Sequence, residues 1–242
     1  MKVTFDDLSL ILDVSWEGRK ISFSTPQWAF LEGYHFYDLQ CELYSIRECC
    51  KFFISRFGVS NGVMDVMAGC GFSGRLFQKY LNPSRLLLND SDNICFRILS
   101  ENFLHCDIRM DDFRYLLLNN QTSADVVFVD FNSFTILDLC KYWRAFQTIR
   151  GKSRSLWLTD SAPYGFRFGN LDIYGCRTPM DYYNMVDQEM RPLGFQLCAV
   201  SEFYNQAAAL LVFIRDDESF DDVIFLDGGR LTVNRSKKGA FF

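Results

Sequence analysis

At 242 residues the chain is long enough for one domain with a full core. Hydrophobic residues make up 49%, aromatics 17% with 25 Phe among them, and charged residues 23%, which excludes an intrinsically disordered chain. The net charge of −5 excludes an overall basic surface that grips nucleic acid by counterion release.

Only local basic stretches remain, at Arg144, Arg150, Lys152 and Arg154 and in the tail at Arg235, Lys237 and Lys238, and each reads as solvated surface. Apolar runs such as Ala207 to Ile214 fall short of the roughly 20 residues that cross a bilayer. The start, MKVTFDDLSLILD, carries acids where a signal peptide carries basic residues. A cytoplasmic protein without a membrane partner is expected. The nine cysteines form no CxxC pair and no Cys/His set with zinc spacing, so they read as reduced core residues and no metal site is expected. For the adjacent Cys49 and Cys50 the expectation is a helix that turns one thiol inward, and Cys70 reads as a small space-filler.

In chain order, residues 1–58 form an N-terminal extension, with an irregular aromatic lead from Trp16 to His35 and a helix from Tyr37 to Phe57. From about Val59 to Arg215 short apolar runs alternate with helical stretches, the pattern of βαβ units in a parallel sheet. The strands are placed at Gly62 to Met67, Ser84 to Asn89, Leu104 to Asp107, Ala124 to Asp130 and Ser155 to Asp160. Helices are placed at Ser73 to Tyr80, Asp92 to Asn102, Phe113 to Asn119, Thr135 to Thr148 and Pro179 to Met190. Two further β-rich runs, Gly194 to Glu202 and Ala207 to Arg215, are separated by four residues and read as a hairpin. The expected fold is therefore α/β: a doubly wound, mostly parallel, seven-stranded sheet ending in an antiparallel hairpin, over residues 59–215. Residues 216–242 read as a C-terminal extension.

The run from Val63 to Gly74, VMDVMAGCGFSG, places Asp65 at a strand end before Gly69, Gly71 and Gly74. Glycines there let backbone approach a ligand without a Cβ, and the helix that follows presents free N–H groups. Three more acids fall at expected strand ends. Asp90 closes LLLND, about 25 residues after Asp65, where an acid accepts from a ribose diol; Asp107 in LHCDIRMDDF is placed to receive an adenine amine; Asp130 in ADVVFVDFNSF faces a transferred group. Asp111 and Asp112 read as helix caps. His105 is expected to be buried in its strand, and His35 in EGYHFYD is a candidate for the cofactor entrance.

These acids, the glycine turn and the terminal hairpin resemble the class I S-adenosylmethionine-dependent methyltransferases. The resemblance implies S-adenosylmethionine as cofactor, held by Asp65 with Gly69 and Gly71 at its methionine end, Asp90 at the ribose and Asp107 at the adenine. The form DVMAGCG, with Met67 where small-molecule enzymes carry glycine, is more similar to the turn of nucleic-acid methyltransferases, which makes RNA or DNA the leading partner and a base the leading acceptor. The chain departs from the amine-methylating D/N-P-P-Y/F signature: Asp130, Phe131, Asn132, Ser133 and Phe134 supply an acid, an amide and aromatics without the prolines. No Pro-Cys loop stands there either, which leaves a covalent thiol route without support. Asp130, Asn132 and Phe134 are the candidates for aligning an acceptor, followed by Asp160 and Tyr164, with Phe131 and Phe166 as flanking aromatics. A small-molecule acceptor, another enzyme on this fold and a non-catalytic binding module are the alternatives.

Overall fold

The computed structural model describes residues 2–6, 9–16, 19–21, 36–69, 71–119, 122–130, 148–149, 151, 153–160, 175–203, 208–218, 220, 222–227 and 230–233. Near the N-terminus, β1 (Lys2–Asp6), β2 (Ser9–Trp16) and β3 (Arg19–Ile21) form a three-stranded antiparallel sheet, where an irregular lead was expected from Trp16 onward. Helix α1 (Phe36–Phe57) follows.

The main sheet is built from β4 (Gly62–Asp65), β5 (Arg85–Asn89), β6 (Asp107–Arg109), β7 (Ala124–Val129), β8 (Ser153–Asp160), β9 (Phe195–Phe203), β10 (Ala208–Arg215), β11 (Ile224–Asp227) and β12 (Arg230–Val233). Its order is β12-β11-β9-β10-β8-β7-β4-β5-β6. β4 through β8 are mutually parallel, and β10 runs antiparallel to both β8 and β9. Six of the seven expected strands are thus present with their terminal hairpin, and the third lies further along the chain, at Asp107–Arg109 instead of Leu104 to Asp107. Two more join them, because β11 pairs in parallel with β9 through Ile224 and Phe225 and carries β12 antiparallel on its far side.

The crossovers are α2 (Phe72–Leu76), α3 (Asn93–Asn102), α4 (Phe113–Asn119) and α5 (Pro179–Met190). The first continues directly as one wider turn, Phe77–Leu81, so the expected helix is present in two windings. The segment 135–147 of another expected helix lies outside the described residues. α5 starts where the residues dictate: the Thr178 side chain accepts from Asp181 N, Asp181 accepts from Thr178 N at 2.9 Å, and Pro179 fills the first helical position.

Each central strand buries both faces, as its near-continuous apolar runs require. On one face Val63, Leu88, Val126, Phe128 and Trp157 pack against α1, α2 and α3. On the other, Met64, Leu87, Val127, Val129 and Leu158 pack with Leu116 and Leu117 of α4 and with Tyr182, Tyr183, Val186 and Met190 of α5. Helix α1 docks through Leu43, Ile46, Cys49, Cys50 and Phe53, one face at helical spacing. Both adjacent cysteines are buried there, against the expectation that one would turn outward, and burial raises both thiols well above their ordinary range. Phe53 meets the Trp157 ring at 5.9 Å, and burying an aromatic side chain of this kind is worth about 1.5–3 kcal/mol.

Candidate active site at the carboxyl edge

The chain leaves β4 for β5 and β6 on one side and returns to β7 and β8 on the other, so the strand order reverses between β4 and β7, and ligands of open α/β sheets bind beyond the carboxyl ends at such a point. Asp65 ends β4 level with Leu88 of β5 and Phe128 of β7. Beyond it, Val66 N donates to Phe128 O at 3.0 Å and Ala68 N donates to Asn89 O at 2.8 Å, which ties the departing chain to both neighbours. The turn then passes through Gly69 (φ +53°) and Gly71 (φ +86°), a region that glycine enters without a Cβ clash.

The two glycines do different jobs. A Cβ on Gly71 would lie 2.3 Å from Phe103 Cε2, so that position is closed by the α3 side of the core. A Cβ on Gly69 would meet none of the described residues within 4 Å, so among them the turn is open there. Gly74 is close to Leu88, and its lack of a side chain lets α2 approach β5.

Asp65 is fully buried. Its Oδ2 accepts from the Ser73 hydroxyl, and among the described residues its Oδ1 has no hydrogen-bond partner. Burial above all, with the nearby Asp130 and Asp90 carboxylates adding to it, pushes the Asp65 carboxyl up to about 8. An unsatisfied buried carboxylate oxygen is costly by itself, and a cationic ligand group relieves that cost. Asp90, just past β5, accepts Gly69 N–H on Oδ2 and Asp92 N–H on Oδ1, both at 2.9 Å, so it is fastened to the glycine turn. Burial raises its carboxyl as well. Asp130, just past β7, accepts from Thr159 Oγ1 at 2.6 Å.

This topology is shared with known structures. At 7% identity a methyltransferase described as S-adenosylmethionine-dependent, from Clostridium acetobutylicum ATCC 824, superposes with a TM-score of 0.56 over 78% of this chain and 95% of its own. Magnesium protoporphyrin IX methyltransferase (ChlM) from Synechocystis PCC 6803, with bound SAH, gives 0.53 at 12% identity over 76% and 87%. DesVI from Streptomyces venezuelae gives 0.53 at 8% over 80% and 100%. The chain has the class I methyltransferase fold. No family model and no curated protein matches its sequence.

In this methyltransferase fold the structure brings together Asp65, Gly69, Asp90 and Asp130 at one edge, as expected from their strand-end positions. Asp107 is not with them. It begins β6 instead of ending it, stands opposite Leu87, and pairs with Arg109 at 2.8 Å. It lines a groove at the amino ends of the strands with Ser84, Arg85, His105 and Thr122. The acid beyond the carboxyl end of β6 is Asp111, whose backbone N and O both bond to the Asn89 side chain. Asp112 caps α4 as expected, accepting from Arg114 N at 2.9 Å, and its ion pair with Arg114 lowers its carboxyl to about 2.

His105 is exposed, in the turn before β6, so the expectation of a buried strand histidine is corrected. Arg154, from the basic stretch, is engaged with Glu218 at 2.7 Å and lies over the Phe57 ring at 4.6 Å. Asn132, Phe134, Tyr164, Phe166, Phe131, Cys70 and His35 lie outside the described residues. Asp160 ends β8 fully buried and accepts from the Tyr182 hydroxyl at 2.5 Å; next to it on α5, Tyr183 donates to Glu202 at 2.8 Å. Burial and Glu202 raise the Tyr183 phenol far above its usual range. Among the described residues no group of three or more His, Cys, Asp or Glu forms a metal site, and no helix is long and apolar enough to cross a membrane.

The residues present fit S-adenosylmethionine. The orphaned Asp65 Oδ1 suits an ammonium group, the open face of Gly69 suits a close backbone approach, and Asp90 suits a vicinal diol.

Proposed function

We propose that the chain binds S-adenosylmethionine at the carboxyl ends of β4, β5 and β6 and transfers its methyl group to a nucleophile held beside Asp130, with a nucleic-acid base as the acceptor. The observation that carries the cofactor reading is Asp65: a fully buried carboxylate with one orphaned oxygen, beside a turn open at Gly69. The acceptor reading rests on the DVMAGCG form of that turn.

When bound, the sulfonium supplies an already activated methyl group and departs as a neutral sulfide. Little acid–base help is therefore asked of the protein, and its task is alignment. Asp65 takes the methionine ammonium through Oδ1, which makes the buried carboxylate stable as an ion. Asp90, held still by Gly69 and Asp92, takes the ribose diol with its remaining lone pairs. Asp111 takes the place at the adenine first expected of Asp107. Asp130, steadied by Thr159, accepts a hydrogen bond from the acceptor's amine, turns the nitrogen lone pair toward the methyl, and takes the proton that the methylated nitrogen sheds before passing it to water.

The test is incubation with S-adenosylmethionine carrying a tritiated methyl and with RNA or DNA. Label in nuclease-sensitive polymer, lost in Asp130→Ala while cofactor still binds, is the expected result. Label confined to small molecules would overturn the acceptor assignment, and cofactor binding without any transfer would make the chain a binding module.

A further inference from the structure

Asn89 is the last residue of β5 and is fully buried, an amide in a strand otherwise made of Leu86, Leu87 and Leu88 inside the sheet. Its Oδ1 accepts Asp111 N–H at 2.9 Å, and its Nδ2 donates to Asp111 O and to Val66 O, each at 3.0 Å. Both amide hydrogens and the carbonyl are thus used on backbone groups of two different segments. One segment leaves β4 for the glycine turn and the other leaves β6 for α4.

These bonds are not what holds the strands together. β5 already pairs with β4 and β6 through its own ladder, and Asp90 N donates to Arg109 O at 3.3 Å beyond it. What the side chain adds is a fixed distance between the Asp111 peptide and the start of the glycine turn. Of the three acids around β6, Asp107 is paired with Arg109 and Asp112 with Arg114, whereas among the described residues no arginine pairs with Asp111.

We propose that Asn89 is a positioning residue for the nucleoside half of the cofactor, holding the Asp111 peptide so that the Asp111 carboxylate receives the 6-amino group of adenine. The proposal rests on the cofactor reading above. It makes Asn89 and Asp90 one device: the side chain of the first sets the base end, and that of the second sets the ribose end.

The experiment compares binding of S-adenosylhomocysteine with that of its analogue carrying hypoxanthine, which presents a carbonyl where adenine presents the amine. Calorimetry is run on the wild type, Asn89→Ala, Asp111→Asn and Asp90→Ala, with circular dichroism as a check of folding. The wild type prefers the adenine form by at least about tenfold, since a site that accepts from an amine repels a carbonyl. Asn89→Ala and Asp111→Asn bring that ratio close to one, whereas Asp90→Ala weakens both ligands alike. General loosening of the fold lowers both affinities without changing their ratio. If Asn89→Ala fails to fold, Asn89→Ser, whose side chain is too short to span both backbone segments, takes its place with the same expected ratio. Equal binding of both ligands by the wild type, or an unchanged ratio in folded Asn89→Ala or folded Asp111→Asn, overturns the proposal and leaves the cofactor reading standing. No binding of either ligand by folded wild type overturns both.

Discussion

Replacing Gly69 and Gly71 one at a time by Ala separates the part of the turn that serves a ligand from the part that serves the core. In Gly71→Ala the new methyl lies 2.3 and 2.6 Å from Phe103 ring carbons and 2.9 Å from Leu99 Cδ2, and both neighbours are buried. Overpacking of that kind costs about 1–3 kcal/mol, and the left-handed backbone at φ +86° adds about 1–2 kcal/mol for a residue with a Cβ. The sum, about 2–5 kcal/mol, is a large share of the stability of an ordinary domain. In Gly69→Ala only the backbone cost of about 1–2 kcal/mol applies, because the methyl meets no atom within 4 Å. That methyl instead occupies the space assigned to the cofactor. Urea denaturation of both variants, with S-adenosylhomocysteine titration of each, reads the two effects apart. Gly71→Ala shifts the midpoint strongly; Gly69→Ala shifts it little and loses at least about tenfold in affinity, or about 1.4 kcal/mol. Wild-type affinity in Gly69→Ala would refute the placement of the ligand, and wild-type stability in Gly71→Ala would refute the packing.

Two further outcomes follow from buried carboxyl groups. Asp65 titrates near 8 when folded and near 4 when unfolded, so the folded state holds a proton that the unfolded chain has lost: the stability contribution is complete below about pH 4 and disappears as pH rises through about 8. Asp65→Asn should remove that slope, seen as a urea midpoint less dependent on pH, and an unchanged slope would show that Asp65 is not the titrating group. The same raised value means that cofactor binding at neutral pH expels close to one proton; calorimetry in buffers of differing ionisation heat should report it, and a count of zero would contradict a neutral Asp65 in the free protein. Tyr182→Phe deletes the 2.5 Å bond to Asp160 in a fully buried setting and should cost about 1–3 kcal/mol by urea denaturation, with cofactor affinity unchanged.

The sequence made the central strands legible because their two-sided burial demands continuous apolar runs, and it made α4 legible because Asp112 caps it. Asp65 and Asp90 are readable for the same reason, since each stands at the end of such a run, and Gly69 follows in the turn four residues after Asp65. β6 was misplaced because a three-residue edge strand buries too little for its pattern to locate it, and a shift toward its C-terminal side took Asp107 out of the site and left Asp111 beyond the strand end. Asn89 was passed over for its neighbour Asp90. The signal was available, since an amide inside a strand buried on both faces must find hydrogen-bond partners. β11 was hidden in an acid-rich stretch and joins the sheet through only Ile224 and Phe225, pairings that depend on where β9 lies in space. The roles of Asn132 and Phe134 rest on the sequence alone.

The measurement that tests the account most directly is calorimetric titration of the purified chain with S-adenosylhomocysteine, repeated on Asp90→Ala, with NAD as control. The wild type is expected to bind with a dissociation constant on the order of micromolar, the folded variant to lose about tenfold or more, and NAD to give no heat. Absence of binding by the folded wild-type protein would contradict it.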